Sequence, residues 1–128
     1  MPFKVTYNVE TSGILIEAFG VVNDNEAIST LQEVLDHPAF PSIKYLISDR
    51  TNCTQYDLSS KTAEKASKLA DRALSINKHF LWAIVSPKDL EFGISRMFQS
   101  YADENLRTFV VRTRADADEL IKKELNNA

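Results

Sequence analysis

The sequence predicts an α/β domain with elements in the order β-β-α-β-α-β-α-β-α, a five-stranded mixed sheet with four helices. Three observations predict it. The first strand alternates apolar and polar residues, whereas later strand segments are continuous apolar runs, the pattern of strands covered on both faces. Segments with apolar residues at helical spacing separate or follow those runs. Three helix starts pair a polar cap with an acid three residues on: Asn23/Glu26, Ser86/Asp89 and Thr113/Asp116. Strands alternating with helices imply right-handed crossovers and a mostly parallel sheet, with the first strand as an antiparallel edge.

Each element follows from its residues. Phe3, Val5, Tyr7 and Val9 alternate with Lys4, Thr6, Asn8 and Glu10, giving a first strand with one wet face. Ser12-Gly13 supplies a turn, and Ile14 to Val22 is the second strand of a hairpin. After the Asn23 cap, Ile28, Leu31, Val34 and Leu35 define a helix to about Asp36, which Pro38 and Pro41 stop. Ile43 to Ser48 is the third strand and Asp49 to Asp57 a polar loop. A helix follows from about Leu58 to Ile76, with Ala63, Ala66, Leu69, Ala70 and Ala73 inward, small enough to lie close to a sheet. His79 to Ser86 is an interior strand. Ser86 then caps the third helix, with Pro87 at its first position and Leu90, Ile94, Met97, Phe98 and Tyr101 inward. Leu106 to Arg112 is the fifth strand, and Thr113 caps a last helix with Ala117, Leu120, Ile121 and Leu125 inward.

Composition bounds the function. A chain of 128 residues with 44% apolar and 26% charged residues is a single ordinary globular domain, residues 1–128. Net charge is -3, and the densest basic group (Lys61, Lys65, Lys68, Arg72) is broken by Glu64 and Asp71, so a nucleic-acid partner is not expected. Cys53 is the sole cysteine and the two histidines, His37 and His79, are far apart, which leaves no zinc spacing and no intrachain disulfide. No apolar run is long enough to span a membrane. The N-terminus lacks a signal-peptide pattern, so the cytoplasm is the expected compartment. No cofactor, metal or catalytic residue is assigned.

In an α/β sheet, ligands sit outside the carboxyl ends of the strands. The helix after Ser59-Ser60 has Lys61 in its first turn and no acid before Glu64, so its start suits an anion; Asp57, Ser59 or Ser60 could cap it, and the competing reading is a solvated helix start with Asp57 as the cap. The expected anion or regulatory site is Asp49, Arg50, Asn52, Asp57, Ser59, Ser60, Lys61 and Thr62. An apolar wall or partner surface is expected from Leu90, Phe92, Ile94, Met97 and Phe98. Arg96 is expected to stack over Phe92 one turn away, and Gly93 to loosen that helix or admit a close approach. Plain core packing is the competing reading. Two residues keep an enzyme open. Cys53 lies near Arg50, whose charge would lower a thiol pKa, although an idle buried thiol explains it more simply. Pro2, once Met1 is removed, would offer a terminal amine base of the kind tautomerases use, but the hairpin after it does not resemble their β-α-β start.

The order of elements resembles the SpoIIAA-like superfamily, meaning STAS domains and the related Sec14-like lipid-binding domains, over nearly the whole chain. The resemblance is most specific at Tyr45-Leu46-Ile47-Ser48-Asp49, at Phe92-Gly93-Ile94-Ser95-Arg96-Met97-Phe98, similar to a Gly-x-x-Arg-Met-Phe helix, and at Arg112 to Leu120. It implies a non-enzymatic domain that binds a protein partner or a small, lipid-like ligand. Regulatory STAS proteins carry Asp-Ser-Ser-Gly at the second helix, with the second Ser phosphorylated. Here the stretch is Asp57-Leu58-Ser59-Ser60: Asp57 and Ser59 match, while Leu58 and Ser60 depart from the first Ser and the Gly. A phospho-regulated switch at Ser59 is therefore the alternative, and an enzyme at Cys53 or Pro2 a third. The resemblance also places most helices on one face of the sheet. The other face would then need a cover: a homodimer partner, the hairpin or an apolar ligand.

Overall fold

The computed structural model describes residues 2–57, 59–101 and 106–126. Strand β1 (Phe3–Asn8) turns into β2 (Gly13–Asn23), and α1 (Asp24–Leu35) leads through a 3₁₀ turn at Phe40–Ser42 to β3 (Tyr45–Asp57). Then come α2 (Ser60–Ile76), β4 (Leu81–Val85), α3 (Asp89–Tyr101), β5 (Arg107–Val111) and α4 (Arg114–Asn126). The strands form one sheet in sequence order, with β1 antiparallel to β2 and the other pairs parallel. The predicted element order and sheet are the observed ones.

That strand order dictates where the helices go. From β2 to β5 each connection steps one strand further the same way, so right-handed crossovers put α1, α2 and α3 on one face. Leu31, Val34, Ala63, Ala70, Ala73 and Phe98 from these helices share a core with Ile14, Leu46, Trp82 and Ile84 from the sheet. Helix α4 follows the last strand and closes no crossover, so it is free to take the opposite face. There Ala117 and Ile121 pack on Ile47, Leu81, Ala83 and Val85. The cover sought for the second face is thus supplied by the chain's own last helix, which removes the need to invoke a dimer partner or ligand over β3 and β4. A groove of about 380 Å³ remains between α4 and the hairpin, lined in part by Leu15, Tyr45, Ile121 and Leu125.

Two boundaries differ from expectation. The third strand starts at Tyr45 and runs on to Asp57, so the predicted polar loop from Asp49 is strand. Past Asp49, β3 has outrun β4, whose last pair is Asp49↔Val85, and is paired only with β2 as far as Asn23↔Asp57. A strand flanked on one side exposes Thr51, Asn52, Thr54 and Gln55, and polar residues there cost nothing in burial. Register shifts between Glu17 and Phe19 and between Gly20 and Val21 accompany the extension, and Gly20 takes φ +64°, as a bulge requires. Gly13 serves a different need: a Cβ there would lie 1.9 Å from the Tyr45 ring.

The third helix begins at Asp89, so neither Ser86 nor Pro87 fills its predicted capping position. Ser86 is instead fully buried, its Oγ 2.8 Å from Ser95 Oγ. The inner face of α3 accordingly centres on Ser95 and Phe98, whereas Met97, expected inside, is exposed. Counting apolar residues alone rotates the face away from Ser95, because a serine with a buried hydroxyl partner packs inward as well as an aliphatic group does. Among the described residues nothing lies within 4 Å of a Cβ placed at Gly93, so none of them makes a close approach that would call for that glycine.

Other local signals hold. Asn23 accepts from the Glu26 amide at 2.9 Å while Glu26 accepts from the Asn23 amide at 3.3 Å, a complete capping box. The Asp116 amide donates to Thr113 Oγ1 at 3.1 Å. Asn77, buried at the end of α2, donates to the carbonyls of Phe40 and Ile43 at 2.8 and 2.9 Å, tying the 3₁₀ turn to the start of β4.

Candidate functional site

Consecutive strand residues point to opposite faces, and this separates Asp49 from Arg50. Asp49 is buried on the α4 side. Its Oδ1 accepts from the Thr51 amide at 2.9 Å and from the Thr51 hydroxyl, and its Oδ2 lies 3.6 Å from Arg114 Nη1. Arg114 also donates from Nε to Asp118 at 3.1 Å. Burial pulls the Arg114 pKa down, but its bonds and charge attraction to Asp118 and Asp49 outweigh this and raise it. It therefore stays charged at any physiological pH.

Arg50 points the other way, beneath the three packed helices. Its Nη1 donates to Ser95 Oγ at 2.5 Å and approaches Ser86 Oγ at 3.5 Å. Both serines are buried almost completely. Trp82 donates from Nε1 to Ser48 Oγ at 3.0 Å, and its ring meets Phe98 edge-on with centroids 5.1 Å apart. Arg50, Ser95, Ser48, Trp82 and Phe98 border a crevice of about 70 Å³ between the helices and the sheet. Ser48 to Arg50 and Trp82 line it from the sheet, Ile28 and Leu31 from α1, Thr62, Ala63 and Ala66 from α2, and Ile94, Ser95 and Phe98 from α3. The lining is mostly apolar, with a guanidinium and a few hydroxyls converging, the usual make-up of a small-molecule site.

The expected anion site is thus divided. Arg50 and Thr62 reach the crevice, Asp49 turns its carboxylate to α4, and Asn52 and Lys61 are exposed. Ser59 caps α2, accepting from the Thr62 amide at 3.4 Å, and donates to Asp24 Oδ2 at 3.2 Å. Helix α2 therefore does have an acid at its start, supplied by the first residue of α1. The cap is Ser59, in place of the alternative Asp57. The side chains of Asp57, Ser60 and Leu90 lie outside the described residues, as does Leu58. Of the expected apolar wall, Ile94 and Phe98 line the crevice, while Arg96 and Met97 are exposed. The cation over Phe92 is Arg112, 3.8 Å from the ring centroid, rather than the predicted Arg96. Arg112 also donates to Asp89 at 2.8 Å and to the Pro87 carbonyl at 3.2 Å, so it clamps the start of α3 from the end of β5.

Sequence reading missed Ser86, Ser95, Ser48 and Trp82. Ser95 carried a signal, as a polar residue beside Ile94 on an otherwise inward face. Cys53 is buried against Ala18 and Val22, without the exposure a reactive thiol needs. Lys88 donates from Nζ to the Cys53 and Thr54 carbonyls, both at 2.9 Å, and so fastens the α3 start to the β3 extension. Among the described residues no group of three or more His, Cys, Asp or Glu side chains is placed to hold a metal ion, and no helix is long and apolar enough to cross a membrane.

The architecture has known counterparts. An uncharacterized DUF3478-family protein with a SpoIIAA-like fold from Shewanella loihica PV-4 matches with TM-score 0.58 and 15% identity, over 93% of this chain and 91% of that one. The anti-sigma factor antagonist SpoIIAA in its unphosphorylated form matches with TM-score 0.54 and 10% identity, over 94% and 97%. The chain has the SpoIIAA-like fold, the class the element order resembled. The sequence itself matches no protein-family model and no curated protein.

Proposed function

We propose that this SpoIIAA-like domain is a cytoplasmic, non-enzymatic binding module that takes a small amphipathic ligand into the crevice beneath α1, α2 and α3. The observation that carries the reading is Arg50 and Ser95 lining a mostly apolar hollow, with Ser86 hydrogen-bonded behind Ser95. Apolar walls supply affinity by burial, and the few polar groups orient the occupant. Native mass spectrometry of the purified protein tests this. A small molecule retained in stoichiometric amount, and lost when Ala66→Trp fills the hollow, supports it; clean protein that also ignores added amphiphiles refutes it.

A second reading has its own support. Ser59 is exposed at the α2 start, and one similar structure is an anti-sigma factor antagonist in its unphosphorylated form. On this reading the domain is a phospho-regulated switch that engages a protein partner. A phosphate on Ser59 would sit beside the Asp24 carboxylate, so modification would push the α1 and α2 starts apart. Incubation with candidate kinases followed by mass spectrometry tests it, and Ser59 left unmodified while a STAS control is phosphorylated counts against it.

A further inference from the structure

The opposite face of the sheet carries a second hollow, where α4 packs on β3 and β4 and a gap remains beside the hairpin. This groove of about 380 Å³ falls within the roughly 300–1,000 Å³ of small-molecule sites. Leu15, Tyr45, Ile121 and Leu125 give it an apolar lining, with Thr6 and Lys122 among its polar groups. One of the lining rings is held in place. Three carbons of the Tyr45 ring lie 1.9, 2.1 and 2.3 Å from where a Gly13 Cβ would stand, near-equal distances that set the ring face-on over the glycine. Tyr45 Oη is 2.5 Å from Thr11 Oγ1, and the Thr11 amide donates to Asn8 Oδ1 at 3.2 Å, so the far end of the ring is pinned to the turn. One face of the ring is thus covered by β2, and the other turns away from the sheet into the groove. A ring fixed in this way is a platform for offset stacking of a second planar ring, with little left to order on binding. The charges beside it are unequal. Asp118, the one acid among the described lining residues, already accepts from Arg114, which also faces Asp49. Lys122 is exposed and forms no ion pair among the described residues, so an incoming anion displaces no partner from it.

We infer that this groove binds a planar aromatic monocarboxylate, its ring stacked on Tyr45 and its carboxylate on Lys122. The site is separate from the crevice, and neither claim rests on the other. The full chain, labelled for heteronuclear NMR, is titrated with 2-naphthoate, naphthalene-2-methanol and octanoate near neutral pH at constant ionic strength. The expected result is a saturable set of amide shifts at Gly13, Tyr45, Lys122 and Leu125 with naphthoate. Half-saturation should come at about threefold lower concentration than with the alcohol, the worth of an exposed ion pair. It should come at about fivefold lower concentration than with octanoate, the worth of a stacked ring. Lys122→Gln then weakens naphthoate about threefold and leaves the alcohol unchanged. Thr6→Trp fills the groove from an exposed position of β1, where an aromatic residue suits a strand, and abolishes binding of all three. The alcohol binding as tightly as naphthoate would overturn the carboxylate, and octanoate binding as tightly would overturn the aromatic ring. Shifts centred on Ser95 and the Trp82 indole would overturn the groove as the site and place the ligand in the crevice instead. No saturable shift with any of the three would overturn the proposal outright. Should Thr6→Trp fail to fold by circular dichroism, the ligand series and Lys122→Gln still decide.

Discussion

Asn77 is one residue on which several elements depend. Its side chain donates to two carbonyls from the turn before β3 and accepts from the His79 amide at 2.9 Å. Asn77→Ala strands those buried groups, and the expected loss is about 1–3 kcal/mol, the usual cost of a buried group left unpaired; urea unfolding at constant m-value measures it. Gly13 carries a steric constraint instead. Gly13→Ala drives a methyl into the Tyr45 ring, and displacing that ring is expected to cost about 1–3 kcal/mol, as overpacking does. A Gly13→Ala, Tyr45→Ala double variant should lose less than the two single effects combined, because the clash vanishes with the ring.

At the scale of elements, the junction of α1 with α2 is electrostatic. Ser59 caps α2 and donates to Asp24, so Ser59→Ala is expected to lose about 1 kcal/mol, the usual value of a cap. Ser59→Asp restores a capping oxygen but sets a second carboxylate beside Asp24. Its stability should therefore rise with added salt relative to Ser59→Ala, since screening relieves repulsion between like charges. A flat salt response would mean that Asp24 does not sit where the hydrogen bond places it. Packing governs the other side of α2. Ala70 is fully buried against the sheet, and Ala70→Leu should lift the helix at a cost of about 1–3 kcal/mol, visible as a lower denaturation midpoint.

At the scale of the whole molecule, α4 decides whether the sheet is self-sufficient. With Ala117 and Ile121 seated on the second face, the chain is expected to run as a monomer of about 14.5 kDa by light scattering across the micromolar range. Ile121→Asp puts a carboxylate where a buried isoleucine was. It should loosen α4, expose Ile47, Leu81 and Val85 and produce concentration-dependent association. An unaltered protein that already dimerises would show that α4 does not make the sheet self-sufficient.

Much of this was legible in the residues alone, because the deciding interactions are local. Alternation in β1, the unbroken apolar run of β4, and the caps at Asn23 and Thr113 are settled within a few residues, and together they determine the element order and the α/β class. What needed tertiary structure involves partners distant in sequence. How far β3 runs depends on β2, which is still beside it after β4 has ended. The extended strand then sends Asp49 and Arg50 to opposite faces, where a loop would have left them together. The acid at the α2 start comes from α1, and the cation over Phe92 comes from the end of β5. The crevice itself exists only where three helices meet the sheet. Two of its polar groups, Arg50 and Ser95, stand 45 positions apart in the chain, and no local pattern of charge or hydropathy joins residues that only the crossovers bring within hydrogen-bonding distance.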